Sequence, residues 1–185
     1  MKPLLFIILI GLSLPIKPVE PRYAGYLGNP ITEVKKELVE PSTEVQKVAV
    51  ITDDPDTWTE HECLARNVYW ESKGEGVKGM ALTAQITLNR VNSNKRYFPN
   101  TVCQVVRQKL TRGCSFSWFC DGKSDKPREL ARFEEAKEVA TKALQGEYKD
   151  LIKVKYYKRC DTPSDFFNTL VYKFRYKNHC YYSEG

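Results

Sequence analysis

The chain is poor in metal-binding side chains. Its 185 residues include only two histidines, His61 and His179, and none of its six cysteines forms a C-x-x-C pair. Structural zinc sites draw on closely spaced Cys and His, so that pattern is missing and no metal or cofactor is expected. Long apolar runs are also missing. Leu4 to Leu14 spans eleven residues, well short of the about 20 that cross a bilayer. The run fits the hydrophobic region of an export signal, although one Lys precedes it and no A-x-A-like site follows. Retention as a short N-terminal membrane anchor is the alternative. No Cys lies near the run, which argues against a lipoprotein. Internal repeats and nucleic-acid-binding motifs are absent as well.

With 42% hydrophobic and 28% charged residues, most of the chain is expected to be globular. The net charge of +6 is unevenly spread. Before Trp58 there are six Lys/Arg and eight Asp/Glu; from Trp58 onward there are 23 and 15. The basic C-terminal part suits an anionic partner such as a wall polymer, a membrane surface or a nucleic acid, and equally a solvated Lys-rich surface. Cys63, Cys103, Cys114, Cys120, Cys160 and Cys180 are even in number behind an export-like run. That combination suggests disulfides formed in an oxidising compartment, with the pairing left open.

Residues 15–57 are punctuated by Pro15, Pro18, Pro21, Pro30, Pro41 and Pro55 and show little periodicity. Such a segment buries too little apolar surface to offset the entropy of ordering it. The expected organisation is a signal or anchor over 1–20, a flexible linker over 21–57 and one catalytic domain over 58–185.

From Trp58 the pattern becomes helical. Thr57 with Glu60, and Thr59 with Glu62, both have capping-box spacing. Leu64, Val68 and the Asn67/Glu71 pair predict a first helix ended by Gly74 and Gly76. Val77, Met80, Ala81, Ala84, Leu88 and Val91 predict a second. A third is expected over 101–110 and a fourth over 128–144, where Leu130, Phe133, Val139, Ala140 and Leu144 are available for packing. Lys153 to Tyr182 reads as one or two short strands. The fold class is therefore α+β, mostly helical with a small β element.

Glu71 closes the first helix directly after Tyr69 and Trp70. A carboxyl held against aromatic surface stays protonated to higher pH, which is what an acid for glycoside cleavage requires. A Glu at a helix end is ordinarily a solvated surface residue, so the aromatic flank alone leaves both readings open.

The order of motifs then narrows the choice. A-R-N-V-Y-W-E-S-K-G-E-G followed by G-M-A-L-T-A-Q-I-T-L-N-R-V resembles the SleB-like, spore-cortex-lytic cell wall hydrolases. F-P-N-T-V-C-Q-V-V (98–106), C-S-F-S-W-F-C-D-G (114–122) and N-H-C-Y-Y (178–182) resemble that family's later segments in the same order. Ser72-Lys73 and Tyr176-Lys177 depart from the family's usual Ala-Arg and Ile-Gly. The resemblance implies a compact lysozyme-like fold, peptidoglycan as substrate and Glu71 as the catalytic glutamate.

The other candidate site residues each carry two readings. Glu75 either contacts substrate or serves as a helix cap or structural acceptor, since acids favour helix N-termini. Phe116, Ser117 and Trp118, between two cysteines, form a braced sugar-stacking loop or a hydrophobic cluster beneath it. Tyr157 lines the groove or packs in the core; Asn89 and His179 reach the substrate or stay structural. Lacking a clear second catalytic acid, the chain suits a lytic transglycosylase, in which the sugar's own 6-hydroxyl attacks and Glu71 serves as acid and then base. An inactive disulfide-stapled wall-binding protein is the alternative. A nucleic-acid partner is not expected, the location is exported (periplasmic, envelope or extracellular) and the chain is expected to be a monomer.

Overall fold

The computed structural model describes residues 52–185. The expectations for residues 1–20 and for all but the end of 21–57 lie outside the described residues. Residues 52–57 fold onto the domain. The Thr52 carbonyl accepts from the Arg66 guanidinium at 2.6 Å and from the Trp58 indole at 3.1 Å, and Pro55–Thr57 forms a single 3-10 turn.

Helix α1 (Glu60–Ser72) opens on Thr59, whose hydroxyl accepts from the Glu62 amide at 3.2 Å. Of the two capping candidates this is the one used, because Thr57 is taken up by the 3-10 turn. α1 is the central strut. Cys63, Leu64, Ala65, Val68 and Tyr69 are wholly buried, and so is Arg66. That guanidinium lies 4.2 Å over the Trp58 ring and bonds to Glu62, the Asp125 carbonyl and the Thr52 carbonyl. A buried charge survives only when its donors are occupied in this way, which explains why residues 52–57 are held down.

α1 breaks at Lys73. The next helix, α2 (Gly76–Val91), starts on Gly76 at φ +73°, a left-handed conformation that favours glycine. α2 packs on α1 through Met80, Ala81 and Ala84, while Val77 points to solvent at 56% exposure. Buried polar groups cross the α1–α2 seam. Asn67 Nδ2 donates to Thr87 Oγ1 at 3.0 Å, and the Ser72 and Thr83 hydroxyls meet at 2.5 Å.

α3 (Val102–Val106) is shorter than the expected 101–110. After Val106 the chain turns, and Lys109 bridges to Cys114. α4 (Leu130–Leu144) buries Phe133, Ala136, Val139, Ala140 and Ala143, while its end residues Leu130 and Leu144 stay exposed. Its start is capped from afar. The Tyr69 hydroxyl accepts from the Arg128 and Glu129 amides at 3.1 and 3.0 Å.

The C-terminal region holds three strands instead of the expected one or two. They are β1 (Tyr156–Arg159), β2 (Val171–Tyr176) and β3 (His179–Ser183), all antiparallel in the order β1-β3-β2, with the short helix α5 (Asp165–Asn168) after β1. Ile152, Val154 and Tyr181 pack on Leu82 and Ile86 of α2 and form a second core. All six cysteines are paired. Cys63–Cys103 joins α1 to α3, Cys114–Cys120 closes the aromatic loop, and Cys160–Cys180 ties the chain after β1 to β3. Among the described residues no helix is long and apolar enough to cross a membrane.

Candidate active site

A groove of about 510 Å³ runs between the C-terminal end of α1, the 114–120 loop and the β1–β3 edge. Trp70, Glu71, Glu75, Arg90, Phe116, Ser117, Trp118, Tyr157 and His179 all line it. Seven of the eight sequence-derived candidates therefore converge here.

Glu71 sits half-buried in the last turn of α1. Its Oε2 accepts from the Tyr157 hydroxyl at 2.8 Å, and its Oε1 makes no hydrogen bond among the described residues. Burial raises the Glu71 pKa above its ordinary 4.5, against the opposing pull of the Tyr157 hydrogen bond and the positive charge of Arg90. The outcome is a carboxyl that holds its proton to higher pH and keeps one oxygen free toward the groove.

The source of this environment differs from the sequence argument. Tyr69 is fully buried on another side of α1, where it caps α4. Tyr69 lies two residues before Glu71, about 200° around the helix, and so cannot wall it. Trp70 does reach the groove rim. The walls that count come from Tyr157 on β1 and Arg90 on α2.

Tyr157 is aimed by the sheet. It pairs with Tyr181 across β1–β3, stacks on that ring at 6.0 Å and meets His179 edge-on at 5.2 Å. Burial first, and the Glu71 charge second, push its hydroxyl well above the ordinary 10.0. It therefore stays protonated and serves only as a donor to Glu71 near neutral pH.

Arg90 is the site residue that sequence reasoning missed. Only 7% exposed, it donates Nε to the Lys155 carbonyl at 2.8 Å and lies 4.8 Å over the Phe116 ring and 5.6 Å over Phe98. Its neighbour Asn89 is the one candidate that the structure keeps out of the groove. Asn89 Nδ2 donates to the Ile152 and Val154 carbonyls at 2.8 and 2.9 Å, and Oδ1 accepts from Gln85 at 2.7 Å. Its amide nitrogen ties α2 to the strand region, and its oxygen is taken up within α2. Residues 89 and 90 lie about 100° apart on the helix, and the available signal was that Arg90 falls one turn beyond the buried Thr83–Thr87 stripe.

Glu75 is 5% exposed. It occupies the residue before α2 but makes no side-chain cap bond. Its Oε1 accepts from Asn178 Nδ2 at 3.1 Å and lies 3.9 Å from His179 Nδ1; its Oε2 is buried and finds no partner among the described residues. Of the structural roles expected, hydrogen bonding holds and capping does not. Gly79 makes the fit possible, since a β-carbon there would lie 2.2 Å from Glu75 Cβ. Burial lowers the His179 pKa below its ordinary 6.5, partly countered by Glu75, so the ring is neutral at neutral pH.

Phe116 and Trp118 belong to the main core, at 2% and 8% exposure. Trp118 lies between Trp58 and Trp70, 6.4 Å from each, and donates Nε1 to Asn67 Oδ1 at 3.0 Å. These rings offer the groove edges while their faces pack inward. Ser117 is exposed at the groove. Among the described residues no three Cys, His, Asp or Glu side chains converge to hold a metal ion.

A helical domain carrying a small antiparallel sheet, with the Glu71 carboxyl in its groove, is lysozyme-like in architecture. The profile of the Cell Wall Hydrolase family matches residues 74–182, and the chain belongs to that family of enzymes. Two solved structures are similar. One is the catalytic domain of the germination-specific lytic transglycosylase SleB from Bacillus anthracis, with 26% identity, a TM-score of 0.52, and coverage of 70% of this chain and 99% of that one. The other is the catalytic domain of the Bacillus cereus SleB protein, with 28% identity, a TM-score of 0.54, and coverage of 73% and 99%. No curated protein matches. Glu71 lies just before the span of the family profile.

Proposed function

We propose that this chain cleaves the glycan strands of peptidoglycan as a lytic transglycosylase, with Glu71 as its acid and then its base. The observation that carries this reading is the Glu71 carboxyl, desolvated in the groove and bonded through one oxygen only. The protonated carboxyl gives its proton to the glycosidic oxygen as that bond breaks, and an oxocarbenium-like centre develops on the sugar. The carboxylate left behind is stabilised by the Tyr157 hydroxyl and the nearby Arg90 charge. It then removes the proton from the same sugar's 6-hydroxyl, which closes on the anomeric carbon to give a 1,6-anhydro end. The lytic transglycosylase activity of the similar Bacillus anthracis domain supports this choice.

Glu75, Ser117 and His179 serve as substrate contacts in this account. A buried carboxyl oxygen without a donor costs about 1–3 kcal/mol, so Glu75 Oε2 gains by accepting from a sugar hydroxyl or acetamido N–H once its side chain shifts into the groove. Phe116, Trp118 and Tyr157 shape the groove. The basic surface favours an anionic wall, and the three disulfides suit an extracytoplasmic location. Residues 1–20 then direct export or anchor the chain, and 21–51 tether a monomeric domain.

The test is product analysis of purified peptidoglycan by mass spectrometry. Anhydro-muropeptides are expected. Reducing ends alone would make the enzyme a hydrolase and turn attention to Glu75 as the activator of water. An intact fold with no glycan products would favour the wall-binding alternative.

A further inference from the structure

A second compartment, of about 620 Å³, opens on the far side of Arg90 and Tyr157. Its walls are aromatic and apolar: Tyr97, Phe98, Leu110, Tyr156, Phe166 and Phe167. Arg90, Ser115 and Tyr157 line both this compartment and the Glu71 groove, so the two adjoin. Tyr97, Leu110 and Phe166 are 51%, 52% and 53% exposed. Grouped apolar exposure of this kind on a soluble domain marks a contact surface.

The rings are held in place. The Tyr156 hydroxyl bonds to Tyr97 at 2.7 Å and to Glu184 at 3.0 Å, and Tyr97 also bonds to Glu184. Phe166 packs edge-on against Tyr156 at 5.6 Å and Phe167 at 5.4 Å. A pre-set aromatic wall binds without a further ordering cost.

The charges indicate what it holds. Among the lining residues Arg90 is the sole cation, and its Nε is already committed to the Lys155 carbonyl. Glu184 is engaged at the rim by Lys95 and Lys155, at 3.4 and 3.6 Å. An anionic stem peptide would find a single, largely buried guanidinium here. The flat C–H face of an uncharged pyranose would find exposed rings.

We propose that this compartment is a second glycan subsite, which holds the stretch of strand running beyond the bond at Glu71, with Phe166 and Leu110 as opposed contacts. The inference rests on the glycan-cleaving reading above and adds that binding depends on strand length. Its test uses binding in the Glu71→Gln background, with a tetrasaccharide and long peptide-free glycan strands as probes. Affinity is expected to rise with length. Adding Phe166→Ala, or separately Leu110→Ala, should remove roughly tenfold of the long-strand affinity and leave little dependence on length. Both residues are more than half exposed, so the variants should melt with the parent. A length gain that survives in both variants would overturn the subsite, and so would its absence before either change. Strand cleavage by Glu71→Gln, seen as new chain ends, would count against the role of Glu71 and leave the subsite result standing.

Discussion

The Tyr157 hydroxyl donates to Glu71 Oε2 across 2.8 Å and links the first strand of the sheet to the last turn of the central helix. It fixes the rotamer of the carboxyl and leaves Oε1 to face the groove. Donation to a carboxylate favours the charged form, so this bond lowers the Glu71 pKa against burial.

Tyr157→Phe should therefore raise the Glu71 pKa further. If Glu71 must be protonated to act, the alkaline limb of the pH–rate profile moves to higher pH. Loss of orientation should lower kcat, by roughly tenfold. A limb that stays put, or moves to lower pH, would break the link between these two residues.

Glu71 also links stability to pH. Its folded pKa is raised above the ordinary 4.5. The favourable contribution is fully present below 4.5 and is lost as pH rises through the folded value, where a charge is forced into a desolvated place. Glu71→Gln carries no such charge. Its melting temperature should gain on the parent as pH rises from 4 to 8; the same margin throughout would mean that Glu71 titrates as a solvated group does.

Gly79 is expected to be intolerant of a side chain. Its added β-carbon would sit 2.2 Å from Glu75 Cβ, and overpacking of this kind costs about 1–3 kcal/mol. Gly79→Ala should lower the urea midpoint and depress activity by displacing Glu75. Gly74→Ala, with open space around it, should unfold as the parent does. Equal midpoints for the two variants would show that Glu75 moves aside freely.

Much of this architecture was legible in the sequence. The helical spacing of α1, α2 and α4 gave their existence and most of their core faces, with Val77, Leu130 and Leu144 at the helix ends left exposed, and the ordered motifs brought seven side chains to one groove. The misses have physical causes. Tyr69 was read as a wall for Glu71, but helical positions two apart point to different faces, and it caps α4 instead. Asn89 was read as a site residue and Arg90 was not considered, because an amide near a helix end reads as a hydrogen-bonding residue, while the carbonyls that occupy it lie more than 60 positions away in sequence. The shortening of α3 depends on the Lys109–Cys114 bridge, a pairing that helix periodicity cannot reveal. The aromatic compartment draws on segments around 97, 110, 156 and 166, so only the fold assembles it.

The most direct measurement is the rate of glycan-strand cleavage by Glu71→Gln beside the parent, on purified peptidoglycan at matched protein concentration, with both folds verified by thermal melting. Removing the proposed acid should cost at least about a thousandfold, within the hundred- to ten-thousandfold usual for one proton-transfer group. Parent-like release of muropeptides by the Gln variant would contradict the assignment of Glu71 and with it the mechanism.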